Sequence, residues 1–230
     1  MKKVLVVGAG SGIGKALFDN LKKRKDILPV GISRRGNTFL QNKTFAFKKN
    51  YRCDLLKIED IKKFVEYYST SHSEIDIIYL CQGDGLFDKI ADISLKDFEQ
   101  HLFLNLTSNF ILMQYFFSAL KNSKKNPMVC FLSSTAGKIG FPESTAYCAS
   151  KHAVGGFAKS LREEWKTEKI RVFTVYPGAI STEIWSGRKG FSKDDMISPN
   201  DFAKFLVSLA DLPSSIVVDE SYVLPMKGIL

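Results

Sequence analysis

A glycine-rich turn near the N-terminus constrains the fold of this chain more than any other feature. The residues Gly8-Ala9-Gly10-Ser11-Gly12-Ile13-Gly14 directly follow the apolar run Val4–Val7 and precede a stretch of helical period. Glycines lack a Cβ, so the backbone can adopt dihedrals and approach a ligand in ways that other residues block. Phosphate groups of nucleotides commonly bind at a turn of this kind, between the end of a strand and the N-terminus of a helix. A merely tight connection is the alternative.

Short apolar runs alternate with longer helical segments along the rest of the chain, which predicts βαβ units around a parallel sheet. The runs predicted as strands are Val4–Val7, Leu28–Ile32, Phe45–Phe47, Ile75–Leu80, Met128–Leu132, Ile170–Val175 and Tyr222–Leu224. The segments predicted as helices are Ile13–Arg24, Ile58–Tyr68, Leu95–Lys121, Thr145–Glu168 and Asn200–Ala210. The predicted fold is α/β, a single-domain Rossmann-type doubly wound parallel sheet of about seven strands over residues 1–230.

Composition and charge exclude several classes of protein. The chain is 45% hydrophobic and 25% charged, which is typical of a globular domain and not of a disordered one. A net charge of +9 would permit binding to nucleic acid or an anionic membrane. The basic residues lie in short scattered clusters, however, which favours a solvated lysine-rich surface and predicts no nucleic-acid partner. The apolar stretch Phe110–Leu120 is too short to span a membrane, so no membrane partner is expected.

The four cysteines are far apart, with no CxxC pair and no nearby pair of histidines. This pattern indicates neither a metal site nor a disulfide framework. Reduced thiols in the cytoplasm are expected.

The spacing Gly8-x3-Gly12-x-Gly14, with the motifs that follow it, resembles the short-chain dehydrogenase/reductase family over nearly the whole chain. Those motifs are Asp54-Leu55, Leu80-Cys81-Gln82-Gly83, Asn105, Ser134, Tyr147-x3-Lys151, and Pro177-Gly178 with Thr182. The resemblance implies a nicotinamide cofactor. The residues that it implies for cofactor binding are Gly8, Gly10, Ser11, Gly12, Ile13, Gly14, Ser33, Arg34, Asp54, Leu55, Gly83, Tyr147, Lys151, Pro177, Gly178, Ile180 and Thr182.

The resemblance also implies a catalytic set of Asn105, Ser134, Tyr147 and Lys151. A phenol with a pKa near ~10 is a poor base, and a neighbouring lysine ammonium can lower that pKa. Residues four apart share a helix face, so Lys151 is expected to act in this way on Tyr147. In the reductive direction Tyr147 would protonate the carbonyl oxygen while Ser134 orients it. By resemblance, Asn105 serves a proton relay toward the lysine.

Taken singly, each residue also has a structural explanation. Ser134 fits a turn serine and Tyr147 a half-buried tyrosine, while Lys151 fits a surface lysine. Asn105 fits a polar residue in an apolar helix. Their combination at the family's offsets favours catalysis. The histidines His101 and His152 have no evident partner and are expected to be structural.

The end of the second strand predicts which nicotinamide cofactor is used. A carboxylate there would bind both ribose hydroxyls and repel a 2′-phosphate, but the position is occupied by Ser33. Arg34 can bind a phosphate through two charge-assisted hydrogen bonds and stack on the adenine. Arg35 either assists or is solvated. NADP(H) is therefore predicted over NAD(H), and by resemblance NADPH-preferring members place an arginine there.

By resemblance, residues 182–199 form the substrate loop. The aromatic and sulfur side chains that could line an apolar pocket are Trp185, Phe191 and Met196, with Phe87 and Phe141. The basic residues Arg188, Lys189 and Lys193 would favour an anionic group. Alternatively, the aromatic side chains pack the loop and the basic ones are solvated.

The leading hypothesis is an NADP(H)-dependent oxidoreductase that interconverts a small-molecule carbonyl compound and its alcohol. The alternative is a non-catalytic NADPH-binding regulatory protein on the same fold, against which the intact catalytic set argues. A homodimer or homotetramer is expected because the helices Leu95–Lys121 and Thr145–Glu168 carry apolar residues around much of their circumference.

Two departures from the family's motifs need explanation. Val7 and Cys81 replace polar residues in adjacent segments, and we interpret them as one compensated apolar pair. Gln82 replaces an alanine and faces either the cofactor cleft or solvent.

Overall fold

The computed structural model describes residues 1–38, 45–188 and 190–229. Within them a sheet of seven parallel strands has the order β3-β2-β1-β4-β5-β6-β7. The strands are β1 Lys2–Val7, β2 Ile27–Ser33, β3 Asn50–Arg52, β4 Ile77–Leu80, β5 Met128–Leu132, β6 Arg171–Pro177 and β7 Glu220–Val223. The predicted fold class is confirmed.

Helices cover both faces of this sheet. The α-helices are α1 Gly12–Lys22, α2 Ile58–Ser69, α3 Leu95–Leu102, α4 Ser108–Asn122, α5 Thr145–Trp165 and α6 Pro199–Leu209. The segment predicted as one helix over 95–121 is divided into α3 and α4 by a π-helical turn at Phe103–Thr107. Turns of this kind are frequent at functional sites, and this one contains Asn105.

The third strand lies at Asn50–Arg52, so its prediction at Phe45–Phe47 is wrong. The apolar run Phe45–Phe47 reflects burial in the core and not pairing with a neighbouring strand. Phe45 is 6% exposed and packs its ring 5.3 Å from that of Tyr51. The chain then turns through Lys48, whose φ of 63° is in the left-handed region, before it reaches the sheet edge.

Successive side chains along each strand point to opposite faces of the sheet, so the core has two layers, one on each face. In β1, Leu5 and Val7 face the layer that also contains side chains of α2, α4 and α5. Val4 and Val6 face the layer that contains side chains of α1 and α6. Because both faces are covered, the central strands are apolar throughout. The strand order reverses between β1 and β4, which places a crevice at the carboxyl ends of the strands.

In the described ranges we find no helix with the length and apolar character needed to cross a membrane.

Candidate active site

A cleft of about 400 Å³ opens at the carboxyl ends of the strands. Most of the predicted site residues line it together, from the glycine turn and Ser33 at one end to Tyr147 and Thr182 at the other. Two of them do not line it. Gly14 packs beneath the turn, where an added Cβ would lie 2.3 Å from the Gly8 carbonyl oxygen. Asn105 is buried behind Gly83.

The glycine turn is shaped to admit an anion. Gly8 and Gly12 have φ values of 81° and 49°, which residues with a Cβ rarely adopt. The α1 helix begins at Gly12, and the side chain of its N-cap, Ser11, makes no capping hydrogen bond. The first-turn amides therefore face the cleft without side-chain competition, and the first turn carries no acidic residue. These residues fit the pyrophosphate of a dinucleotide.

Ser33 closes the far end of the cleft. Its Oγ accepts a hydrogen bond of 2.8 Å from Asn50 Nδ2, a partner that sequence reasoning missed. Gly10 permits this arrangement, since an added Cβ there would lie 2.8 Å from Ser33 Oγ. Arg34 is exposed at this end, and Arg35 lies 3.9 Å from Glu183 across the cleft.

The predicted catalytic side chains converge near the middle of the cleft. Ser134, which caps a short 3-10 turn after β5, hydrogen-bonds the side chain of half-buried Tyr147. Lys151 lies one helical turn further along α5, and its Nζ is 5.7 Å from the Tyr147 ring centroid. The Lys151 ammonium donates to the Leu132 carbonyl at 3.1 Å. The structure therefore brings together three of the groups that the family resemblance implied.

Electrostatics at this point differ from the prediction. Burial raises the pKa of Tyr147 above 10, and the hydrogen bond with Ser134 only partly offsets this effect. Burial also lowers the pKa of Lys151 to about 8. The predicted lowering of the Tyr147 pKa is therefore wrong for the protein alone. A phenol that stays protonated at neutral pH is suited to donating a proton.

Asn105 holds the backbone next to this cluster. Its Oδ1 accepts from Asp84 N at 3.0 Å, and its Nδ2 donates to Asp84 O at 3.1 Å. This two-point contact secures the segment after Gly83. An added Cβ on Gly83 would lie 3.3 Å from both Asn105 Oδ1 and Lys151 Nζ, so the segment, the amide and the ammonium pack closely.

His101, predicted to be structural with no partner for acid–base chemistry, contacts the site. Its Nε2 lies 3.0 Å from Asn105 Nδ2 and 3.2 Å from Ser150 Oγ. The contact with the Asp84 carbonyl uses one hydrogen of Asn105 Nδ2, and the other faces both His101 Nε2 and Ser150 Oγ, which lies at 3.0 Å. A neutral His101 ring with an unprotonated Nε2 fits this arrangement. Burial lowers the pKa of His101, in agreement with a neutral ring. The spacing of four residues between His101 and Asn105 was the signal that could have found it.

The departures from the family's motifs have separate explanations. Gln82 is buried and lines the cleft, which is one of the two predicted alternatives, and its Nε2 donates to Asn109 on α4. Val7 belongs to one core layer and Cys81 packs against the other, so the interpretation of the two residues as one compensated apolar pair is wrong. A backbone hydrogen bond of 3.1 Å from Cys81 N to Val7 O joins the two segments instead.

The end of the cleft beside the predicted substrate loop is lined by aromatic side chains and one guanidinium. Phe87, Phe141, Trp185, Phe191 and Arg188 all contribute. Met196 and Lys193, which were expected there, are not part of the lining. Lys189 lies outside the described residues.

Comparisons with known proteins agree with this geometry. The family model described as short chain dehydrogenase matches residues 2–190. The chain is 27% identical to sepiapterin reductase of Chlorobaculum tepidum, over 99% of this chain and 98% of that protein.

Two solved structures share the fold. One is 4-hydroxyisoleucine dehydrogenase complexed with NADH, with a TM-score of 0.82, 24% identity and coverage of 98% of this chain and 97% of that one. The other is an alcohol dehydrogenase from the archaeon Thermococcus sibiricus complexed with 5-hydroxy-NADP, with a TM-score of 0.82, 21% identity and coverage of 97% and 96%.

Proposed function

Since the chain belongs to the short-chain dehydrogenase family and is an oxidoreductase of that family, we propose that it reduces a carbonyl compound to an alcohol, or catalyses the reverse reaction, with NADP(H). The observation that supports this most is the convergence of Ser134, Tyr147 and Lys151 in the cleft that the glycine turn also lines. The cofactor, when bound, supplies or accepts the hydride.

Each side chain has a role that its surroundings explain. Ser134 donates a hydrogen bond to the carbonyl oxygen and holds it beside Tyr147. Tyr147, whose raised pKa keeps it protonated, gives its proton to that oxygen during reduction. Lys151, held by the Leu132 carbonyl, places a positive charge near the phenol and so stabilises the phenolate left behind.

Asn105 acts by position. Its two contacts with the Asp84 backbone keep the segment after β4 in place beside Lys151. His101 contacts the same amide and completes the buried polar cluster. The role of Asn105 in a proton relay toward Lys151 remains part of the proposal.

The preference for NADP(H) rests on Ser33 and Arg34. No carboxylate occupies the position of Ser33, whose Oγ is engaged by Asn50. Arg34 is exposed beside it and lines the same cleft, where it can pair with a 2′-phosphate. The fold relatives include one complexed with NADH and one with a derivative of NADP, so the preference depends on this chain's own residues.

A screen of carbonyl compounds with NADPH and NADH, followed at the nicotinamide absorbance, tests the proposal. The panel includes sepiapterin, aromatic ketones, aldehydes and oxo acids, and the reverse reaction is assayed with alcohols that include D-threitol. We expect turnover of at least one class with NADPH. Tight NADPH binding without any turnover would favour the regulatory alternative.

We also propose a cytoplasmic homodimer or homotetramer. The four cysteines are free, which suits a reducing compartment. Phe116 and Trp165 are buried within the chain, but Phe110 on α4 is 49% exposed, with its ring 6.4 Å from that of Phe157 on α5. A second copy would cover this surface. A light-scattering mass near 25.8 kDa at micromolar concentration would contradict the oligomer.

A further inference from the structure

Arg188 at the substrate end of the cleft is stacked among three aromatic rings. Its guanidinium carbon lies 4.0 Å from the ring centroid of Phe87, 5.1 Å from Trp185 and 5.3 Å from Phe191. The rings of Trp185 and Phe191 are themselves 4.6 Å apart. Ring faces attract the cationic charge but provide no conventional hydrogen-bond acceptor, and no described residue accepts a hydrogen bond from the Arg188 side chain, so its N–H donors are free to bind a ligand.

Within the described residues, Arg188 has no carboxylate partner at salt-bridge distance. Three acidic residues share the cleft, and none of them is at salt-bridge distance from Arg188; the first, Asp54, accepts from Leu56 N at 3.2 Å. Glu183 pairs with Arg35 at 3.9 Å, and Asp84 Oδ1 accepts from Gly85 N at 2.8 Å. Arg188 is half-buried, so its charge is partly desolvated without a compensating anion. An anionic ligand would supply that compensation.

The guanidinium is close to the catalytic phenol. The Phe87 ring contacts both of them: its centroid is 4.0 Å from the Arg188 guanidinium carbon and 5.0 Å from the Tyr147 ring centroid. The positive charge of Arg188 also contributes to lowering the pKa of Tyr147, although burial outweighs it. A group bound to Arg188 and a carbonyl bound to Tyr147 can therefore belong to one small molecule.

We propose that Arg188 binds a carboxylate of the substrate, so that the preferred substrates are oxo acids; this rests on the function proposed above. A carboxylate is planar and accepts two parallel hydrogen bonds from the guanidinium edge. The surrounding rings exclude water and contact the apolar part of the molecule. In the reaction, hydride from NADPH and a proton from Tyr147 convert the C=O group to CH–OH, NADP⁺ is formed, and the carboxylate is unchanged.

Matched pairs of acid and methyl ester test this assignment. The acids are pyruvate, acetoacetate and 4-oxopentanoate, and each is compared with its methyl ester. For at least one pair we expect the kcat/KM of the acid to exceed that of the ester by at least about tenfold, or ~1.4 kcal/mol. Arg188→Gln should remove this advantage mainly through a higher KM for the acid, with the KM for NADPH unchanged. Lys193→Gln, a basic residue of the same loop outside the cleft lining, is the matched control and should retain the advantage.

Three results would overturn the assignment: equal kcat/KM for acids and esters, equal losses for both in Arg188→Gln, or a raised KM for NADPH in that variant. Absence of turnover with every compound would contradict the proposed function instead. In that case tryptophan fluorescence, measured as each acid or ester is added, tests whether the acids bind. Saturable quenching by the acids and not the esters, lost in Arg188→Gln and in Trp185→Phe, would support the anion site, and no quenching would overturn it.

Discussion

The two ends of the cleft are built in different ways. At the cofactor end the ligand-facing groups belong to the backbone, through the positive φ of Gly8 and Gly12 and the N-terminus of α1. At the substrate end they are side chains from separate segments, with Phe87, Tyr147 and Arg188 meeting only in the folded chain. Backbone geometry is encoded in a few consecutive residues, whereas side-chain convergence depends on the whole fold. We therefore expect substitutions at the cofactor end to disturb the backbone of the whole turn, and substitutions at the substrate end to remove single contacts.

Tyr147→Phe should have the largest effect, and only on chemistry. The ring is kept and the proton donor is removed, so turnover should fall by about 10²–10⁴-fold while NADPH still binds. Steady-state kinetics and a fluorescence titration with NADPH measure the two properties. Tyr222→Phe is the control because Tyr222 is 53% exposed on β7 and does not line the cleft. Turnover of Tyr147→Phe within a few-fold of the unmutated protein would remove the role given to Tyr147.

Lys151→Met should stabilise the protein at neutral pH and abolish turnover. The pKa of Lys151 is about 8 in the folded state and 10.5 in the reference state, so the unfolded chain binds more protons between these values. The free energy of unfolding contributed by Lys151 therefore rises as the pH increases from about 8 to 10.5.

Denaturant unfolding of both proteins at pH 7 and pH 11 measures this contribution. The unmutated protein should gain about 3 kcal/mol relative to Lys151→Met between the two pH values, because each pKa unit between 8 and 10.5 corresponds to about 1.4 kcal/mol. An unchanged difference would mean that burial does not perturb this ammonium.

Gly14→Ala tests the rigidity of the cofactor end. The new Cβ would lie 2.3 Å from the Gly8 carbonyl oxygen, so the backbone of the turn must shift. We expect the free energy of unfolding to fall by about 1–3 kcal/mol and the affinity for NADPH to fall with it.

Gly156→Ala is the matched control, since Gly156 lies in α5 with no other group within 4 Å of a new Cβ. That variant should be more stable by about 0.5–1 kcal/mol. Equal effects of the two substitutions would contradict the close packing inferred for the turn.

Arg34→Asp should affect turnover least of the substitutions at the cleft, and it should reverse the cofactor preference. In the unmutated protein we expect NADPH over NADH by at least about tenfold in apparent affinity, or ~1.4 kcal/mol. A carboxylate at this position would repel the 2′-phosphate and accept hydrogen bonds from the ribose hydroxyls. Arg35→Gln should change the preference less, because Arg35 is directed toward Glu183. Equal Michaelis constants for both cofactors in the unmutated protein would contradict the prediction.

The sequence predicted the parts of the molecule that depend on local pattern. The glycine turn and the sheet of parallel strands follow from spacing and periodicity, and the convergence of Ser134 with Tyr147 and Lys151 was implied by the resemblance to the family. The third strand was misplaced because an apolar run shows that Phe45 is buried but not that it pairs with a neighbour.

Errors at the site came from contacts between distant segments. The hydrogen bond between Asn50 and Ser33 and the contact of His101 with Ser150 need the folded chain. The sign of the Tyr147 pKa shift depends on burial, which residue type and helix spacing do not report. The stacking of Arg188 on Phe87 joins residues about one hundred positions apart in the sequence.

The transfer of deuterium from NADPH dideuterated at the nicotinamide C4 to a carbonyl compound tests the proposed chemistry most directly. With the unmutated protein, mass spectrometry of the alcohol should find one deuterium on the former carbonyl carbon for each NADPH consumed. Tyr147→Phe, incubated for the same time, should yield almost none while it still binds NADPH. Binding of NADPH by the unmutated protein with no labelled alcohol from any carbonyl compound of the panel would contradict the proposal.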